Sequence, residues 1–210
     1  CIRDRTLSDQ NKETMISQTI EAAKNQAEGT SADEIDLSNT IAEIITKSDT
    51  GTAAEVLETL EDVSNESESK LSLSVVSNIT KQENYEEKME ILSVTSPIVE
   101  QSINKLIEKA VENASSEEDL DSVTNIIENS KGTISDKVIN SANKNEENKK
   151  KITEIIVNII KKNPEKAVEI IAKNENTKSV VETVKTKIEN DEAITTEDFE
   201  DVFDTNVSPN

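Results

Sequence analysis

The chain has 210 residues, 44 of them acidic and 23 basic, for a formal net charge of −21 without any histidine. That balance disfavours nucleic acid, whose phosphates it would repel, and it withholds the commonest general base and nitrogen ligand for zinc. Only 33% of residues are apolar and the aromatics are Tyr85, Phe199 and Phe203, so a core must rest on many small aliphatic contacts. Low hydrophobicity with high net charge leans towards disorder, but the apolar residues recur with helical periodicity and argue against it for most of the chain. Three glycines and three prolines are too few for the turns of an all-β fold. No run of eighteen apolar residues offers a membrane span.

Residues 1–7 have no apolar period and read as a tether or a segment ordered by a partner. Cys1 is the single cysteine, which leaves the fold without an internal disulfide. A chain beginning with cysteine resembles a mature bacterial lipoprotein. That resemblance implies acylation of Cys1 and an extracytoplasmic, surface-held protein. A trimmed precursor is the alternative.

From residue 8 to residue 204 the spacing predicts about twelve short helices in one helical-repeat domain: 8–28, 32–48, 52–64, 66–81, 84–95, 97–113, 116–130, 133–143, 145–162, 164–173, 176–189 and 196–204. Start signals mark several of them. Ser31 and Glu34 form a capping box, Ser96 and Asn163 each precede a proline, and Ser115 to Glu118 and Thr195 to Asp198 look like further starts. Stops fall at Gly29, around Asp49 to Gly51, and near Gly132.

Apolar faces follow at three- and four-residue spacing. They comprise Ile35, Leu37, Ile41, Ile44 and Ile45, then Ile98, Ile103, Leu106, Ile107 and Val111, then Ile152, Ile155, Ile156, Ile159 and Ile160. Alternate helices begin about 32 residues apart, the period that stacked helical hairpins produce. Ile-Ile-Thr-Lys-Ser (44–48), Ile-Ile-Lys-Lys-Asn (159–163) and Ile-Ile-Ala-Lys-Asn (170–174) recur at expected helix ends, each with a lysine near the negative end of the helix dipole. The period resembles that of tetratricopeptide and related α-solenoids, although the tetratricopeptide Trp, Gly and Tyr signature is missing. The expectation is an α-solenoid-like fold, with a compact helical bundle as the alternative. Residues 205–210 read as a flexible tail.

No catalytic, cofactor or metal signature stands out. Three isolated glycines cannot build a dinucleotide or phosphate loop, and no Asp-rich calcium loop occurs. The acidic clusters sit at helix starts, where negative charge is favourable without any catalytic role. No enzyme activity and no cofactor are therefore expected.

Charge layout is the informative feature. Residues 28–128 hold 24 acidic and 6 basic side chains, residues 144–189 hold 11 lysines against 8 glutamates, and residues 190–210 hold seven acidic residues and no basic one. The lysine-rich stretch includes Lys149, Lys150, Lys151, Lys161 and Lys162. Phe199 and Phe203, four apart near the end, suit either a cap on the last repeat or an anchor for a neighbouring subunit. These residues point to self-association, in which an acidic part of one copy meets the lysines of the next. The expected function is a structural subunit of a surface filament, sheath or layer, its partners other copies of itself. The alternative is a lipid-tethered monomeric adaptor that binds a partner protein.

Overall fold

A computed structural model describes residues 31–66, 71–130 and 132–203. Among them the chain is all-helical, with ten α-helices and three short 3₁₀ turns. The chain divides into two compact units, Cys1–Leu106 and Ile107–Asn210.

In the first unit α1 (Ser31–Lys47) packs on α2 (Thr50–Glu66), α3 (Leu71–Ile79) and α4 (Tyr85–Thr95), and α2 also packs on α3 and α4. The turn between α1 and α2 is tight because Asp49 starts the second helix. Its carboxylate accepts the Thr52 N–H at 3.0 Å and the Thr52 hydroxyl at 2.9 Å. Gly51 therefore lies inside α2 rather than at a stop. The interior is aliphatic: Ile41, Ala42, Ile45, Val56, Leu57, Leu60, Val75, Val76, Ile79, Met89 and Leu92 are fully buried. Asn78 donates to the Ser38 hydroxyl at 2.9 Å, joining α3 to α1.

Helix α5 (Pro97–Glu112) begins as expected, with the Ser96 hydroxyl accepting the Val99 N–H at 3.2 Å. Its inward register differs from expectation. Ile98 is exposed and Val99 is buried, because Val99, Ile103, Leu106 and Ala110 form the continuous three-and-four stripe, while Ile98 stands five residues from Ile103.

The second unit continues with α6 (Glu117–Asn129), α7 (Thr133–Asn140), a 3₁₀ turn (Ser141–Asn143), α8 (Glu146–Lys162), α9 (Pro164–Lys173), a second turn (Lys178–Val180), α10 (Val181–Glu189) and a last turn (Thr196–Phe199). Helix α6 packs on α7, α8 and α9, and α8 also packs on α9 and on the first and last 3₁₀ turns. The start of α6 is a capping box one residue later than the sequence suggests. Ser116 accepts the Asp119 N–H at 3.2 Å, and the Asp119 carboxylate accepts the Ser116 N–H at 3.1 Å and the Ser115 N–H at 3.3 Å. Between α6 and α7, Gly132 turns the chain at φ +60°, a conformation that glycine adopts without strain. The α8 face predicted from sequence is the buried one, with Ile152, Ile155, Ile156, Ile159 and Ile160 all enclosed.

The recurrent Ile-Ile segments do end helices, at Lys47, Lys162 and Lys173. The residue after each of the last two lysines organises the next stretch of backbone. Asn163 accepts the Lys166 N–H at 3.2 Å to start α9. Asn174, fully buried, accepts the Asn176 N–H at 3.0 Å and donates to Asn140 at 3.0 Å and to the Asp136 carboxylate at 3.2 Å, tying this turn to α7.

The helix count departs from twelve. Expected helix 8–28 and the Gly29 stop lie outside the described residues, and so do the side chains of Ser31, Glu34 and Ile35. The last expected helix, 196–204, is a 3₁₀ turn whose bonds run between residues three apart: Asp198 to Thr195, Glu200 to Glu197 and Val202 to Phe199. No helix among the described residues is long and apolar enough to cross a membrane.

Candidate functional site

The lysine-rich segment is built on α8, which Asn145 starts by accepting the Asn148 N–H at 2.8 Å. Its five lysines have different fates. Lys151 reaches back to the C-terminal end of α5, where its Nζ donates to the Glu112 carbonyl at 2.7 Å and the Val111 carbonyl at 3.3 Å. It also pairs with Glu147 at 2.9 Å, and that hydrogen bond and charge hold the Glu147 carboxyl below its usual range. Lys149 donates to the Glu200 carbonyl at 2.8 Å. Lys150, Lys161 and Lys162 are exposed. The last two lie at the C-terminal end of α8, where the helix dipole favours positive charge.

Phe199 and Phe203 are 0% exposed, so both rings are enclosed within the chain and offer no surface to a neighbour. The turn that carries Phe199 is anchored by an ion pair between Lys187 and Asp198 at 2.5 Å, with Asp198 also accepting the Thr195 N–H at 2.9 Å. Burial raises the tendency of Asp198 to hold its proton. The Lys187 hydrogen bond, the Thr195 N–H and the lysine charge outweigh it, leaving the carboxyl below its usual range.

A cavity of about 250 Å³ lies where the end of α6, the start of α7 and α9 meet. Its charged lining is mixed, with Lys166 and Lys173 against Glu128, Asp136 and Glu169. The two serines in the wall are occupied: Ser130 donates to the Ile126 carbonyl and Ser135 to the Ile127 carbonyl at 3.3 Å. Both of these hydroxyl hydrogen bonds run to backbone carbonyls of α6. Among the described residues no three Cys, Asp or Glu side chains gather where a metal ion could sit.

Three exposed apolar side chains close together in sequence add a feature that the apolar stripes do not announce. Ile91, Val94 and Ile98 are 44%, 79% and 61% exposed, and no other large apolar side chain among the described residues is exposed. All three lie within eight residues, around the junction of α4 and α5. The signal was available in α4, whose apolar residues fall on two faces. Met89 and Leu92 point into the core, and Ile91 and Val94, one turn apart, share the outer side. Cys1 lies outside the described residues. No family model, curated protein or solved structure matches this chain.

Proposed function

We propose that this chain is an interaction protein of stacked helical hairpins whose copies associate head to tail, the building principle of a filament, sheath or layer. The observation that carries this reading is the segregation of charge. Lys150, Lys161 and Lys162 reach solvent from a stretch with 11 lysines against 8 glutamates, whereas residues 28–128 carry 24 acidic and 6 basic side chains. Two unlike surfaces on one molecule make a heterologous contact, and such contacts propagate when the rotation between copies does not close. The hairpin arrangement draws support from packing between helices two apart in sequence, α1 on α3, α2 on α4 and α6 on α8. Cross-helix polar contacts support it too: Asn78 to Ser38, Lys88 to Ser48, Lys151 to Val111 and Asn174 to Asn140 join residues 34 to 40 apart.

Light scattering and negative-stain microscopy of the full chain at low and high salt test the proposal. Regular polymers at low ionic strength that dissolve as salt screens the contact are expected, together with their loss in a variant with Lys150→Glu, Lys161→Glu and Lys162→Glu. A monomer at every salt concentration overturns it. The second reading, a single-copy adaptor for a partner protein, draws on the exposed apolar side chains at the α4–α5 junction.

A further inference from the structure

We propose that Ile91, Val94 and Ile98 form a docking site for a basic amphipathic segment of a partner protein, with apolar side chains three to four residues apart and flanking lysines or arginines. Among the described residues these three side chains stay partly or largely exposed instead of joining the core. Met89 and Leu92 already fill the inner face of α4, and Val99, Ser102 and Ile103 that of α5. Exposure of this kind, where no other large apolar side chain among the described residues is exposed, is costly in water and suits an interaction surface.

The rim identifies the partner's chemistry. Glu87 and Glu90 stand one turn before Ile91 and Val94, on the same side of α4, and both are exposed. The one lysine of α4, Lys88, does not offset them, because its ammonium is held on the Ser48 carbonyl at 2.6 Å. An apolar centre with a carboxylate rim fits a partner whose own apolar centre has a cationic rim. Two copies meeting patch to patch would set Glu87 and Glu90 against themselves. Helix α8 itself carries no exposed large apolar side chain beside its surface lysines, so a different protein fits this surface better than a second copy.

The test is fluorescence anisotropy of the full chain with a labelled synthetic Leu/Lys amphipathic peptide. Two matched peptides serve as controls, one with Gln replacing Leu and one with Glu replacing Lys. Saturable binding in the range of about 1–100 µM is expected for the Leu/Lys peptide alone, typical of a small, transient interface. The combined Ile91→Ser, Val94→Ser and Ile98→Ser variant should weaken it at least about tenfold. The combined Glu87→Gln and Glu90→Gln variant should weaken it and flatten its salt dependence. Val94→Ser alone, at the most exposed of the three, serves if the triple variant fails to fold. No saturable binding, or binding indifferent to the apolar substitutions, overturns the proposal. So does a triple variant that alters association of the chain with itself while the peptide does not bind, since a second copy would then occupy the patch. Because the proposal uses none of Lys150, Lys161 and Lys162, failure of salt-dependent polymerisation leaves it standing.

Discussion

The ammonium of Lys151 donates to the carbonyl of Glu112 at 2.7 Å, so a side chain of α8 completes the end of α5. Lys88 does the same for the end of α1, donating to Ser48 at 2.6 Å. The final carbonyls of a helix have no partner within it and carry the negative end of its dipole. In both cases the lysine comes from about forty residues further along the chain.

Lys151→Met should therefore lower stability by about 1–2 kcal/mol, by stranding carbonyls at the end of α5. Lys150→Met, one residue away and without such a contact, should stay within about 0.5 kcal/mol of the parent. Urea unfolding followed by circular dichroism checks the pair. Equal effects of the two substitutions would refute the assigned role of Lys151.

The Lys187–Asp198 pair gives a pH signature. Asp198 titrates below its ordinary value of 3.8 in the folded chain, so the folded state holds fewer protons there than the unfolded one. Its stabilising contribution is present above that value and is lost as pH falls through the lower folded one. Asp198→Asn should cost about 1 kcal/mol near neutral pH and progressively less as pH falls below 3.8. A cost independent of pH would mean that the carboxylate charge is not what matters.

Asn174→Ala should cost about 1–3 kcal/mol. It removes a fully buried amide that holds its own turn and bonds Asn140 and Asp136 on α7. Thermal unfolding measures this, and hydrogen exchange should show the loss of protection centred on residues 174–177.

Thr153 offers the opposite case. Its hydroxyl is buried without a hydrogen-bond partner, so Thr153→Val, which keeps the shape and removes the polar atom, should be neutral or stabilise by up to about 1 kcal/mol. Phe199→Ala, by contrast, should cost about 3–5 kcal/mol because the ring is wholly enclosed. Denaturant midpoints rank the two, and a destabilised Thr153→Val would reveal an unseen partner for the hydroxyl.

Helix boundaries are legible in this sequence because their signals are local. Ser96 before Pro97 and Asn163 before Pro164 announce starts through chemistry confined to four residues, and both form the expected caps. The α8 stripe is legible because five isoleucines repeat at strict helical spacing. Elsewhere the pattern is degenerate. Adjacent Ile98 and Val99 compete for one inward position, and composition cannot rank them, whereas the spacing to Ile103 does. The role of each lysine is less legible still. Lys149, Lys150 and Lys151 are consecutive and identical in type, yet their fates depend on Glu200 and Glu112, which no periodicity brings near them.

The lysine staples also bear on how the chain folds. Each closes a loop of about forty residues, and the entropy of closing a flexible loop grows only logarithmically with its length. Contacts of such short reach let a helix recruit its neighbour soon after both have formed, without waiting for the far end of the polypeptide. Refolding is expected to be faster than for a fold whose contacts join its two ends, since rates rise as the mean sequence separation of contacts falls.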